Sequence, residues 1–290
     1  MKMIPDLISL LVLASACFTC DNEPVVEPTP PLPASQFEAE PVRKAVVPMV
    51  LETSGIADSK TYPGHLWAQE DSGNPTQLYL MGHDGSVKKK VFLKGTVNRD
   101  WEDMILSGND LYLADFGDNN QVYGTYTIYQ FPEPAAAVDT VENIKTISFK
   151  YPDTPHDAEA FLVDATSSDI YIITKRDDVA KIYRLAHPYS YTSINTPTLV
   201  GTLPYNNVVS AAQSPDGKDI IIKTYTNLYH YSRSETQSIG EALNNSFTSL
   251  PYLLEPQGEA ITFANDNKGF FTLSEKGIGT MVNLYFYKRK

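Results

Sequence analysis

Three short patterns recur in the same order five times along this chain, and that recurrence constrains its fold more than any other feature. The first opens each unit: TSGIA (Thr53 to Ala57), WEDMI (Trp101 to Ile105), AEAFL (Ala158 to Leu162), VSAAQ (Val209 to Gln213) and GEAIT (Gly258 to Thr262). The second is an apolar run: HLWAQED, DLYLADF, DIYIITK, DIIIKTY and GFFTLSE. The third sets a Tyr between apolar residues: QLYLM, TIYQF, KIYRL, NLYHY and NLYFY. In later units, turns rich in Asp, Asn and Gly (SPDGKD, ANDNKG) join the first pattern to the second, as hairpins require.

Aligning the first pattern puts Ser54, Glu102, Glu159, Ser210 and Glu259 in register, at spacings of 48, 57, 51 and 49 residues. That length suits one four-stranded antiparallel sheet, the blade of a propeller. A fourth strand follows in most units, as in SVKKKVFLKG and NIKTISFKY, but the last unit stops at NLYFYKRK. Its outer strand is expected from RKAVVPMVLE (Arg43 to Glu52), a closure that ties the termini together and removes a free edge. The expected fold is all-β, a five-bladed β-propeller with an N-terminal strand closing the last blade. A six-bladed alternative would need a further unit within Ser234 to Leu254, which lacks the pattern. No long helix is expected, although SIGEALNNSF can hold a turn or two.

The excess of Tyr (18) over Phe (12), with many Ile, Val and Thr in the later units, agrees with β structure. A formal charge of −12 and no basic face argue against binding duplex nucleic acid, which needs cations to neutralise phosphates. The acidity suits solubility or cation binding. Lys2 followed by the short apolar run LISLLVLASA reads as a signal segment, residues 1–17, too short to span a bilayer. ASAC (Ala14 to Cys17) resembles a bacterial lipobox, so lipidation is expected at Cys17, with Cys20 as the runner-up and a plain secretory signal as the alternative. Residues 18–41 are rich in Pro and read as an extended linker; residues 42–290 are the propeller. The chain is then a lipid-anchored, membrane-tethered protein of the bacterial cell envelope, and a monomer. With no Cys beyond residue 20, the propeller has no disulfide.

First strands of propeller blades line the central tunnel, so the aligned residues form a ring of oxygen donors about the axis. Three carboxylates converging there repel unless protonated or shared by a cation. An all-oxygen set suits a hard ion, Ca²⁺ best, with Ser54, Glu102, Glu159, Ser210 and Glu259 as ligands. The five His show no zinc-ligand spacing. The bland alternative is a polar lining that merely solvates the tunnel mouth. Strand pleating puts Glu102 and Met104 on the tunnel side, with Trp101 and Asp103 on the other; Asp100 and Asp103 then stand as candidates for substrate contact.

This ring resembles that of the calcium-activated nucleotidases of the apyrase class, and RDWEDM, HDAEAF, VVSAAQ and PQGEAI look like that family's blade starts. The resemblance implies a five-bladed propeller with one axial Ca²⁺ held by Ser54, Glu102, Glu159, Ser210 and Glu259. Where that family carries an Asp-Asp-Arg segment in its first blade, this chain has EDSGNP (Glu70 to Pro75), without the Arg. Blade starts here are also similar to those of uncharacterised secreted bacterial propellers of phytase-like and lactonase-like type.

The second-pattern strands end in polar clusters expected at one tunnel mouth. Asp71, Asp103, Asp115, Asp118, Asn119, Lys175, Arg176, Lys223 and Glu275 are the candidate ligand-binding residues, with the cations placed to hold an anion beside the metal. DSGN and FGDN read equally as turns. No P-loop, dinucleotide fingerprint, G-x-S-x-G elbow or Cys nucleophile is present in the propeller. A glycosidase would find carboxylates in Glu102, Asp103, Glu159 and Glu259, but only Trp67 and Trp101, besides Tyr, as sugar platforms. Two functions remain: a module binding a small-molecule or protein ligand, with Ca²⁺ as scaffold, or a calcium-dependent hydrolase of a small phosphate ester, nucleotide or ester. Whether it is an enzyme stays open.

Overall fold

A computed structural model describes residues 35–290. The signal segment 1–17, with Cys17, and most of the linker, with Cys20, lie outside the described residues. Strand β1 is Val42–Ala45. Blade I contains β2 (Thr53–Asp58), β3 (His65–Glu70), β4 (Gln77–Gly82) and β5 (Val87–Leu93). Blade II contains β6 (Trp101–Ser107), β7 (Asp110–Asp115), β8 (Tyr126–Pro132) and β10 (Lys145–Phe149). Between β8 and β10 the chain forms β9 (Thr140–Val141), which pairs parallel with β5 and gives blade I a fifth strand. Blade III contains β11 (Ala158–Val163), β12 (Ile170–Thr174), β13 (Lys181–Leu185) and β14 (Thr198–Thr202). Blade IV contains β15 (Val208–Gln213), β16 (Asp219–Thr224), β17 (Leu228–Ser232) and β18 (Thr248–Leu250). Blade V contains β19 (Gly258–Phe263), β20 (Gly269–Ser274) and β21 (Asn283–Lys288), closed by β1.

The five sheets make a five-bladed β-propeller. β1 runs antiparallel to β21, with Val42 opposite Phe286 and Lys44 opposite Leu284, so the N-terminal closure forms as the repeat plan requires. It ends at Ala45, short of the expected Glu52; pairing cannot extend through Pro48, which has no N–H to donate. Packing also begins earlier than the expected boundary at residue 42, because Phe37 is fully buried and bridges Arg289. The loose stretch from Ser234 holds no sixth blade. It forms α1 (Ile239–Leu243), with a capping box between Ser238 and Glu241, and then the outer strand β18.

Second strands such as β7 and β16 are almost wholly buried because blades stack on both of their faces. Each junction between blades has its own filling. Trp67 and Trp101 pack between blades I and II, and Tyr126, Phe149 and Tyr183 between II and III. Ile239, Ala242 and Leu243 of α1 pack between III and IV. Phe37 packs between IV and V, against Phe263, Phe270 and His230.

Candidate functional site

The site begins with a bulge repeated in every blade. Pairing of first and second strands slips at one level: after Thr53–Glu70, Trp101–Asp115, Ala158–Thr174, Val208–Thr224 and Gly258–Ser274. A bulge leaves one residue unpaired and re-aims its side chain. Those residues are Ser54, Glu159, Val209 and Glu259, and in blade II, where the slip runs from Trp101 to Met104, Glu102 together with Asp103. The sequence alignment and the pairing agree in four blades and differ by one residue in blade IV. Val209 stands at the bulge and Ser210 one step further in, level with Asp103. Chemical likeness favours the Ser, whereas backbone pairing sets the register.

Second strands deliver a companion set to the same end of the tunnel, the residues just past each strand: Asp71, Phe116, Lys175, Tyr225 and Glu275. Asp100 and Asp157 precede β6 and β11. Carboxylates from four blades and one lysine therefore gather where the first strands begin.

Within this group one carboxylate oxygen each of Asp71, Asp100 and Glu102 lies within 4.8 Å of the others. Gly117 makes room for them, since a Cβ there would collide with Glu102 Oε1 and Asp100 Oδ2. Asp115 fixes the approach: its Oδ1 accepts from Arg99 N (3.1 Å) and Asp100 N (2.9 Å). Burial pushes the Glu102 carboxyl well above the usual range, and Glu159, Asp71, Asp100 and Glu259 push it further. Asp100, half-buried, is raised to about 6 by desolvation and then by Asp71. Glu275 is raised to about 8, by desolvation and then by Glu259 and Asp71.

On the blade III side the charge is met internally. Lys175 Nζ donates to Glu159 Oε1 and, at 2.8 Å, to the Tyr225 hydroxyl. That hydroxyl donates to Glu259 Oε1 at 2.8 Å. Lys175 thus stands among Glu159, Tyr225 and Glu259. Glu159 Oε2 is buried and has no hydrogen-bond partner among the described residues. Burial holds the Glu159 carboxyl well above its ordinary range, against the pull of Lys175.

The other expected site residues have local partners. Ser54 Oγ donates to Trp101 O (3.0 Å) and accepts from Gln69 Nε2 (2.8 Å). Asp118 accepts from Val122 N, Tyr123 N and the Tyr126 hydroxyl, organising the turn it sits in. Arg176 pairs with Asp157 at 2.6 Å and donates to Asn119. Lys223 is buried, donates to the Tyr252 hydroxyl, and is lowered to about 8 by desolvation, against the pull of Glu255 and Glu259. The expected anion clamp of Lys175, Arg176 and Lys223 is not assembled, because each cation is already engaged within the protein.

Asp103 corrects the pleat argument. The bulge breaks strand alternation, so its carboxylate does not turn away from the tunnel but crosses it, from blade II to blade IV. Oδ2 accepts from Ser210 Oγ (3.1 Å) and Ala211 N (3.3 Å), and Oδ1 from Met104 N (2.9 Å). Burial raises this carboxyl well above its ordinary range. Asp103 and Ser210 therefore form a plug across the tunnel, below the acidic mouth.

The sequence matches no known family model and no curated protein.

Proposed function

We propose that this chain is an exported β-propeller, tethered to the bacterial envelope through Cys17, that binds a divalent cation at its acidic mouth and uses that mouth to hold a ligand. The observation that carries the reading is the convergence of Asp71, Asp100 and Glu102. Carboxylates this close, one of them buried, are stable only when protonated or when they share a cation. An all-oxygen donor set suits Ca²⁺, which accepts irregular geometry. The cation is held off the tunnel axis, because Lys175 already serves Glu159 and because Ser54 and Ser210 are engaged elsewhere. With the internal cations engaged, an anionic partner would be recruited through the metal rather than through a Lys/Arg clamp.

Hydrolysis is the second reading, favoured by Asp100. Its half-buried carboxylate stands at the tunnel mouth beside Asp71 and Glu102, where a substrate drawn by the cation would meet it. Small phosphate esters, nucleotides and esters are the substrate classes to try.

Calorimetric titration of the full chain with CaCl₂ tests the site. Asp100→Asn is expected to weaken binding about tenfold or more, close to 1.4 kcal/mol, while Ser210→Ala leaves it unchanged. Equal affinity in Asp100→Asn would remove the carboxylate cluster from consideration. A panel of phosphoesters and esters assayed with Ca²⁺ separates the two readings, since only the hydrolase predicts turnover that Asp100→Asn abolishes.

A further inference from the structure

The junction between blades V and I is lined by apolar residues from both blades. Its inner part is packed by residues such as Leu66, Met81 and Leu273, but further out it keeps a hollow of about 320 Å³. Gly269 lets the Phe286 ring lie close to β20: a Cβ there would collide with Tyr287 O and come within 2.7 Å of that ring. The floor is aromatic and aliphatic. Val42, Phe286 and Phe271 stand in one row across β1, β21 and β20, and the two rings lie 4.7 Å apart. His83 packs on Phe271 at 4.4 Å and is pinned by Asp58 at 2.6 Å. The backbone of the β4–β5 turn is stapled to the segment after β1 by Val47 N to Gly85 O and Val87 N to Val47 O, each 2.9 Å. The hollow is therefore held open by fixed backbone.

Its rim is basic in a protein whose net charge is −12. Lys44, Lys268 and Lys288 all line it. Lys268 pairs with Asp266 at 3.0 Å; Lys44 and Lys288 are exposed and form no ion pair among the described residues. An apolar floor of this volume, flanked by Lys44 on one side of the Phe286 row and by Lys288 and Lys268 on the other, matches a ligand that has both parts.

We propose that the cleft between blades V and I is a second binding site, for a small amphiphilic anion: an apolar aliphatic or aromatic body carrying one carboxylate. The body lies on Val42, Phe271 and Phe286, and the carboxylate meets a rim ammonium, Lys44 on one side of that row or Lys288 on the other. This site stands apart from the acidic mouth and does not depend on a cation there.

Calorimetric titration of the full chain with sodium laurate, kept below its micelle concentration and with chelator present, tests the site. Saturable binding is expected, weakened about tenfold or more, close to 1.4 kcal/mol, by the paired charge reversals Lys44→Glu and Lys288→Glu. These are surface positions, and an unchanged melting temperature would confirm that the fold survives. Acetate, which lacks the body, and dodecyltrimethylammonium, which reverses the head, should both fail to bind. No saturable laurate binding, equal binding by the charge-reversed protein, or binding only to anionic phospholipid vesicles would each overturn the proposal.

Discussion

The two ends of the tunnel are built by the same five strands and share almost no chemistry. Where the first strands begin, Asp71, Asp100, Glu102, Glu159, Glu259 and Glu275 crowd around Lys175 and Tyr225. Where those strands end, a hollow of about 200 Å³ is walled by Ile105, Leu162, Ala211 and Ile261, with a single carboxylate, Asp58, beside Lys60, Gln213 and Asn265 among its polar residues. Asp103 and Ser210 lie between them. The difference follows from the bulges. A regular strand alternates its side chains, whereas the bulge at the start of each first strand breaks that alternation, and in three blades it brings a Glu (Glu102, Glu159, Glu259) into the charged group. Beyond the bulge, pleating resumes and the strands carry core residues. One end is thus free to hold charge because the other, with the interblade clusters, provides packing.

The sharpest way to break this comparison is to remove the internal cation. Lys175→Met leaves Glu159 buried without its counter-charge, and the loss of one partner from a buried pair costs about 3–5 kcal/mol. Denaturant melts should show a loss of that order, with much of it recovered when Ca²⁺ is added, because the carboxylates freed from Lys175 can then take a cation. A loss under about 1 kcal/mol, indifferent to Ca²⁺, would mean that the acidic end is less strained than its geometry implies.

The plug comes next. Asp103→Ala removes an acceptor for Ser210 Oγ and for the backbone N–H groups of Met104 and Ala211. Leaving buried donors unpaired should cost about 1–3 kcal/mol in the same melts without changing calcium affinity. A calcium affinity that falls with this variant would show that plug and mouth act as one unit.

A smaller effect distinguishes the ends by pH. Asp100, raised to about 6, and Glu275, raised to about 8, bind a proton more tightly in the folded chain than in the unfolded one. Stability from these groups is therefore complete below the ordinary carboxylate range and is lost as pH rises through about 6 and then about 8. In chelator the melting temperature should fall across that window, and added Ca²⁺ should flatten the slope. A flat profile in chelator would contradict the account. The smallest effect belongs to the far end: Lys60→Ala removes only an exposed contact to Gly108 O and should change stability by less than about 0.5 kcal/mol, with calcium affinity untouched.

Much of the fold is legible in the sequence because it is written repeatedly. Five occurrences of a Tyr-bearing strand and five apolar strands fix the blade count, and the truncated last unit signals closure by the N-terminus. What a single blade does differently is harder to read. β9 is two residues long and pairs with a neighbouring blade, so no periodicity announces it. Phe37 sits in a Pro-rich stretch that reads as linker, yet it fills the junction between blades IV and V.

The candidate site is legible in part for the same reason. Glu102, Glu159 and Glu259 align because the bulge residue is a Glu in three blades. Blade IV misleads, because Val209 occupies its bulge while the neighbouring Ser210 carries the expected chemistry. Asp100 and Asp103 stand out in the sequence as candidates for substrate contact, and the structure gives each a place, one in the carboxylate cluster and one in the plug. The engagement of Lys175, Arg176 and Lys223 is invisible in sequence because their partners come from distant stretches or other blades, such as Asp157 for Arg176 and Tyr252 for Lys223.

The most direct measurement is the position of the metal. Crystals grown with Ca²⁺ and exchanged with Tb³⁺, whose anomalous scattering locates the ion without reference to the protein, would give it. The account predicts one strong peak bonded to Asp71, Asp100 and Glu102, off the axis, with Lys175 still between Glu159 and Glu259. A peak on the axis bonded to Glu159 and Glu259, with Lys175 displaced, would contradict it.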